Sequence, residues 1–303
     1  MTGTSGPPTA ATWARLQTFL AVHETGSVRA AADALHVTPA AVSAAVGALE
    51  QALGVSLFDK AGRGIAPTTA GETFAGYARK LLGLLTEAAG ALHDADRGRV
   101  RIGAVATAGE YLLPRLMATF AEQHPHVELS LSVLPRDEVF ALFADHAVDV
   151  VLAGRPPRAS GLVTRARRPN RLVLVGRPGS AVDPLTTPWL LTARGSGTRE
   201  TALALLDRLQ AAPPLLTLGT AGAAIAAARQ GLGVTLVHEC AARPDLDGGT
   251  LVTYCVAGTP LERPWHLCTS VEPTAATRLF VRHVCDPGAA GEVAFHTRHP
   301  PSG

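Results

Sequence analysis

The strongest constraint on this chain is the punctuation of residues 26–54, which admits little but a short helix turning sharply into a second one. Gly26 can end a first helix with left-handed backbone angles, and Ser27 can cap the next. Upstream, Trp13, Leu16, Phe19 and Leu20 fall at helical spacing across residues 13–24. A short helix is predicted over 28–36, with Ala31, Ala32 and Leu35 on its inner face. Thr38 is a good N-cap, and Pro39 fits the first helical position, where its missing N–H costs nothing. Val42, Val46, Leu49 and Leu53 then repeat at helical spacing until Gly54 closes the third helix. Helix, three- to four-residue turn, helix is the helix-turn-helix arrangement. The small Ala31 and Ala32 let its helices cross closely, and Val37 is expected to plug the corner between them.

A hairpin and a long helix follow. Residues 57–60 read as a strand, 61–64 as a glycine-rich turn, and Ile65-Ala66-Pro67 as the returning strand. A helix capped by Thr68 or Thr69 is predicted to reach His93. Its stripe, including Leu81, Leu82 and Leu85, has nothing nearby to cover it and so calls for a partner helix. Residues 94–98 read as a linker. From Val100 the rhythm becomes alternating strands and helices, an α/β pattern that predicts mainly parallel sheets. Nine strands are predicted, at 100–105, 127–133, 149–153, 171–175, 189–191, 215–218, 234–238, 251–256 and 266–269, and they suit two lobes better than one small sheet. Helices are predicted at 111–123, 137–145, 198–211, 221–230 and 274–284, and a loose tail from Pro287.

Composition narrows the classes. No run of about 18 uninterrupted apolar residues occurs, so no membrane span is indicated. The first dozen residues lack a basic start and an apolar core, so they do not read as a secretion signal, and a cytoplasmic location is expected. Cys240, Cys255, Cys268 and Cys285 lie too far apart in sequence for a metal-ligand motif and read as reduced, mostly buried thiols. His296 and His299 stand in a polar tail where a built metal site is not expected. Neither a cofactor nor a metal is called for. An α/β enzyme would need a nucleophile–base pair or a metal cluster, and none stands at usable spacing. A solute-binding protein without DNA activity would have no use for residues 13–67.

The N-terminal end of the second helix of a helix-turn-helix enters the major groove. Here that end carries Thr38, Pro39, Ala40, Ala41 and Ser43: two hydroxyls for bases or phosphates and alanines for thymine methyls. Arg29, Lys60 and Arg63 are candidates for phosphate or minor-groove contacts. Charge alone is silent. Residues 1–70 hold Arg15, Arg29, Lys60 and Arg63 against Glu24, Asp33, Glu50 and Asp59, four against four. Spacing alone leaves open a small helical bundle that binds no nucleic acid. The hairpin and the long helix favour the DNA reading.

The run Thr25-Gly26-Ser27-Val28-Arg29-Ala30-Ala31-Ala32-Asp33-Ala34-Leu35-His36-Val37-Thr38-Pro39-Ala40-Ala41-Val42-Ser43 resembles the N-terminal signature of LysR-type transcriptional regulators. The resemblance continues through Leu49-Glu50, Leu53-Gly54, Leu57-Phe58 and Thr69-Ala70-Gly71. It implies an all-α winged helix-turn-helix domain over residues 1–67, a dimerisation helix over 68–98, and a two-lobed α/β, periplasmic-binding-protein-like effector domain over 99–303. It further implies a dyad-symmetric operator in double-stranded DNA, a small-molecule effector, and self-association into dimers and tetramers. Pro39, Ala44, Ala45 and Gly47 stand where the family commonly has polar or basic residues, which shifts the expected readout toward DNA shape and the hairpin.

In a two-lobed α/β domain, ligands bind beyond the carboxyl ends of strands. Two strand-to-helix junctions offer hydroxyls, a close-approach glycine and free helix N–H groups, which favour anions. One carries Thr107, Gly109 and Glu110; the other carries Ser196, Gly197, Thr198 and Arg199. Neither has the lysine of a phosphate loop, and the second lacks the spacing of a serine-nucleophile elbow. Residues 107–114, 154–157 and 195–199 resemble the LysR-type subgroup that regulates carbon-fixation (RuBisCO) operons, which implies sensing of phosphorylated sugars, organic acids or nicotinamide dinucleotides. Leu134-Pro135 departs from the glycine and asparagine that subgroup tends to carry. A small anionic metabolite held by Thr107, Ser196, Thr198 and Arg199 is therefore expected, and the carboxylate of Glu110 is a candidate partner for Arg199.

Overall fold

The computed structural model describes residues 12–61, 64–91, 97–158, 160–179 and 183–297. One compact unit is built on the chain up to Ala89, and a second begins at Gly90.

The first unit opens with α1 (Trp13–Thr25), which buries Leu16, Phe19, Leu20 and Val22 and ends where Gly26 turns left-handed and donates its N–H to the Val22 carbonyl. Ser27 caps α2 (Val28–Leu35) by accepting from the Ala30 N–H, and Thr38 caps α3 (Pro39–Leu53) by accepting from the Ala41 N–H. The chain bends by 109° between α2 and α3, within the helix-turn-helix range. Ala31 and Ala32 are fully buried, so α2 sits against its neighbours with almost no side-chain thickness between. Val37 does not plug the corner, because it is 47% exposed. His36 takes left-handed angles, and the Val37 N–H then reaches back to the Ala32 carbonyl, turning the side chain outward. Val22, Val42 and Val46 fill the corner against the two alanines instead.

Strands β1 (Phe58–Ala61) and β2 (Gly64–Pro67) form the expected hairpin, registered from Phe58↔Pro67 to Ala61↔Gly64. Glu50 anchors it from α3, its Oε1 accepting the backbone N–H groups of Leu57 at 2.7 Å and Phe58 at 3.2 Å. The Ile65 N–H donates to the Gly26 carbonyl at the other end. Next comes α4 (Thr69–Ala91), whose Ala75 and Ala78 join Leu16, Phe19, Leu49 and Leu57 in one core. Gly71 is obligatory there: a Cβ would stand 2.1 Å from the Leu57 carbonyl oxygen.

The second unit has two lobes. The first is built on β3 (Arg99–Ala104), α5 (Ala106–Tyr111), α6 (Leu113–Gln123), β4 (Glu128–Val133), α7 (Arg136–Ala144), β5 (Val150–Ala153) and β6 (Val163–Arg168). The chain then crosses through Pro169-Asn170 to β7 (Arg171–Gly176), β8 (Trp189–Thr192), α8 (Gly197–Arg208), β9 (Leu215–Gly219), α9 (Ala221–Arg229), β10 (Thr235–His238), α10 (Glu239–Asp247), β11 (Val252–Tyr254) and β12 (Leu261–Glu262). It returns through Arg263-Pro264 to β13 (Trp265–Thr269), α11 (Ala275–Cys285), α12 (Pro287–Ala290) and β14 (His296–Thr297).

The sheets are mixed rather than mainly parallel. The first lobe has the order β14-β6-β13-β5-β3-β4, with β3 parallel to β4 and β5 but β13 antiparallel to both of its neighbours. In the second, β7 pairs antiparallel with β10, β11 and β12, while β8 and β9 run parallel. Strands joined by a local helix run parallel, as a crossover requires. A strand that re-enters after visiting the other lobe is free of that requirement.

The expected helix over 111–123 is broken at Leu112, since Pro114 belongs in the first turn of a new helix. The tail is not loose up to Thr297. Asp286 caps α12, Ala290 and Phe295 are buried in the first lobe's core, and β14 pairs with β6. His296 lies exposed on that edge strand, and His299 falls outside the described residues. All four cysteines are free thiols. Cys268 is buried, Cys240 and Cys285 are half-buried, and Cys255 is exposed, so burial is less general than expected.

Candidate functional site

On the first unit, α3 presents Pro39, Ala40, Ala41 and Ser43 to solvent on the face opposite its buried Val42, Val46 and Leu49. Thr38 at the helix start is exposed, with its hydroxyl oxygen already accepting the cap bond. Arg29 on α2 and Lys60 on β1 are exposed as well. Arg63 lies outside the described residues. This surface is shallow and short-armed: two hydroxyls, backbone and methyl groups on the helix, and cations only at its margins. Among the described residues no single helix is long and apolar enough to cross a membrane.

In the second unit a cleft of about 930 Å³ lies between the lobes. The junctions after β3 and β8 reach it, as expected, through Thr107 from one lobe and Ser196, Gly197 and Thr198 from the other. The start of α9, Thr220-Ala221, joins them. Thr192 donates its hydroxyl hydrogen to Ser196 Oγ at 2.9 Å, which leaves the Ser196 hydrogen available to another acceptor. Three expected residues are absent from the lining. Gly109 packs against β4, where a Cβ would meet Val133 Cγ2 at 2.5 Å. Glu110, next along α5, is exposed. Arg199 turns its guanidinium away, donating to the Thr192 carbonyl at 3.0 Å and to Thr217 Oγ1 at 2.9 Å. These bonds tie α8 to β8 and β9 and answer the question of what a cation does on the first turn of a helix.

Other cations line the cleft. Arg136, Arg155, Arg167, Arg194 and Arg263 face it, with Glu262 the one carboxylate among the described lining residues. Arg136 lies 4.8 Å over the Phe140 ring and donates to the Arg155 carbonyl at 2.8 Å. Arg263 donates to Thr201 Oγ1 at 2.8 Å. The floor differs from the rim. Arg167 and Trp265 both line the cleft, and Arg167 Nε and Trp265 Nε1 are buried with no acceptor among the described residues. His238 stacks on Trp265, with ring centroids 4.6 Å apart. Burial, reinforced by the positive charge of Arg263, pushes the His238 ring down to about 4, so it is neutral at ordinary pH. Arg167, His238, Arg263 and Trp265 were not among the expected site residues. The signal that marks them is positional, since each lies within three residues of a lobe crossing or at the end of a strand that faces one.

Two family descriptions match the chain: a bacterial regulatory helix-turn-helix protein of the lysR family over residues 13–72, and a LysR substrate binding domain over 93–286. The RuBisCO operon transcriptional regulator of Acidithiobacillus ferrooxidans is 30% identical over 303 aligned residues, covering 93% of this chain and 96% of that one. The fold matches a full-length OxyR variant from Pseudomonas aeruginosa with TM-score 0.66 at 17% identity, covering 95% and 99% of the two chains. It also matches the regulatory domain of Synechocystis PCC6803 CcmR with TM-score 0.56 at 22% identity, covering 61% of this chain and 95% of that one. A helix-turn-helix followed by a two-lobed α/β unit, together with these matches, places the chain in the LysR family of transcriptional regulators.

Proposed function

We propose that this LysR-family regulator binds a small anionic metabolite in its interlobe cleft and thereby modulates its hold on promoter DNA. The observation that carries the reading is the imbalance of the lining, five guanidinium groups to one carboxylate. Cations converging on a concave, partly dry site attract anions, and a guanidinium grips a carboxylate or phosphate with two parallel bonds. The CcmR regulatory domain, whose structure is described as a complex with 2-PG, is a neighbour in fold with an anionic ligand. Arg167 is the cation we assign to the ligand, because it lines the cleft and its Nε has no acceptor among the described residues. Ser196, Gly197 and Thr198 would meet the ligand at the helix start and Thr107 from the opposite wall, while Arg199 and Gly109 would support the walls from behind and Glu110 would take no part.

Calorimetry with phosphorylated sugars, organic acids and dinucleotides tests this. An anionic hit is expected, and Arg167→Gln should weaken it about tenfold or more, as befits a charge-assisted bond. Tight binding of a neutral compound, or an anion indifferent to Arg167→Gln, would overturn the proposal.

The remaining assignments follow the same division of labour. Residues 1–67 would hold the operator through α3, Arg29, Lys60 and Arg63, residues 68–98 would pair two subunits, and 99–303 would sense the effector. Tyr77, Leu81, Leu84 and Leu85 stand 63%, 47%, 51% and 49% exposed on α4. Spacings of three and four put them on one stripe, and two copies of it would bury each other about a two-fold axis matching a dyad-symmetric operator. Light scattering of the intact protein should give a dimer or tetramer at micromolar concentration, and Leu81→Asp with Leu85→Asp should give a monomer. A monomeric parent chain would sink the pairing.

A further inference from the structure

We infer that His238 is a positioning residue that couples the effector cleft to the two lobe crossings, through Thr198 on one side and Asn170 on the other. The inference rests on the reading of the cleft as the effector site.

The two crossings are fastened to each other by Asn170. Its backbone carbonyl accepts the Arg263 N–H at 2.8 Å. Its side-chain Nδ2 donates to the Arg263 carbonyl at 2.8 Å. Asn170 is 5% exposed, so water does not substitute for these bonds. The Arg263 carbonyl also fixes which way the amide faces, since Oδ1 turned toward it would set two acceptors together.

Nδ2 has a second hydrogen, and it goes to His238 Nδ1 at 2.6 Å. An N–H donor can be accepted only by an unprotonated ring nitrogen, so Nδ1 carries the lone pair and the ring hydrogen sits on Nε2. That hydrogen faces Thr198 Oγ1 at 3.5 Å, on the cleft wall at the start of α8. With its oxygen turned to His238, the Thr198 hydroxyl keeps its own hydrogen for a ligand. Trp265, the first residue of β13 after the return crossing, covers one face of the ring. One imidazole thus touches the cleft wall with one nitrogen and the joint of both crossings with the other. Protonation at Nδ1 would set it donor against donor with Asn170, and the lowered affinity of the buried ring for a proton keeps the tautomer in place.

Lobe movement about the crossings must alter Asn170, and through the ring it must alter Thr198. The reverse path runs from a ligand on Thr198 to the crossings.

The test needs no ligand and uses the full-length chain. Hydrogen exchange is measured by mass spectrometry at residues 168–173 and 261–266 in the parent, Thr198→Val, His238→Asn and the double variant. Asn keeps an acceptor near the Nδ1 position but cannot reach Thr198. We expect Thr198→Val to speed exchange at the crossings about threefold in the parent and to change it little in His238→Asn, the non-additivity of one bonded network. His238→Gln, which reaches toward Thr198 but withdraws from Asn170, should speed exchange at the crossings by itself. Selective 15N-histidine spectra should show Nε2 protonated and Nδ1 bare in the parent from pH 6 to 8. A Thr198→Val effect that is absent, or equal in both backgrounds, overturns the coupling, and so does the opposite tautomer. Failure of the cleft reading shows separately, as the absence of any anionic hit by calorimetry on the parent chain.

Discussion

Ser43→Glu is expected to abolish specific operator binding, by about a hundredfold or more, while the protein keeps its fold and its melting temperature. Ser43 is exposed on α3 and takes no part in the core of Val42, Val46 and Leu49, so the substitution creates neither a cavity nor a buried charge. Substitutions of that kind move stability within about 0.5 kcal/mol. With α3 in the major groove as proposed, the same change would remove a hydroxyl and set a carboxylate in a groove walled by phosphates. Helix α3 itself carries no lysine or arginine to offset the new charge. Mobility shifts on the protein's own upstream region would measure the loss, and circular dichroism would verify the fold. Binding at parental strength would refute the assignment of α3. A second consequence is quantitative. Residues 1–70 contain four Lys and Arg residues, which bounds their contribution to the salt slope at about 3.6 per subunit when each phosphate met contributes about 0.9. A steeper slope would mean that cations beyond residue 70, Arg79 and Lys80 of α4 or arginines of the second unit, also touch DNA.

What the sequence made legible follows from which features are local. The caps at Ser27 and Thr38, the left-handed Gly26 and Gly54, and the hairpin between Phe58 and Pro67 are each decided within a few residues. The apolar runs that became β5, β7 and β8 are likewise local signals. The features missed are the ones that long-range contacts decide. Strand β6 reads Val-Thr-Arg-Ala-Arg-Arg, with one fully buried residue, Ala166, and owes its form to β13 and β14 on either side. Helix α10 contains Pro244, which argues against a helix on local grounds alone. At the site, the hydroxyls of Thr107, Ser196 and Thr198 were readable from strand-to-helix junctions. The direction of Arg199 was not, because Thr192 and Thr217, which accept its bonds, belong to β8 and β9. Arg167, His238 and Trp265 meet only because the chain crosses between the lobes twice, and no spacing along the sequence records that.

His238 should also make the second unit lose stability in mild acid. The unfolded chain takes up a proton at this histidine near 6.5, the folded chain only near 4, because the ring is buried and Arg263 repels the charge. Between those values the unfolded state binds more protons, so stability is fully present above about pH 6.5 and falls as the pH drops toward 4. The groups facing the ring give the proton no welcome: the Asn170 amide donates to it, the Trp265 ring covers it, the Thr198 hydroxyl is neutral, and Arg263 is positive. Glu239, the adjacent carboxylate, is engaged by Arg171 and Arg243. For the shift from 6.5 to about 4, the loss from pH 7.5 to 5 is about 2 kcal/mol. His283 adds to it in the same direction, its ring also being held down by burial and then by His124. The contribution of His238 is therefore read as a difference. Urea unfolding of the intact protein at pH 7.5 and pH 5 should show a smaller drop in His238→Asn than in the parent, by about 2 kcal/mol, with the slope in urea unchanged. If both proteins lose the same stability over that interval, the ring is not held neutral by its surroundings.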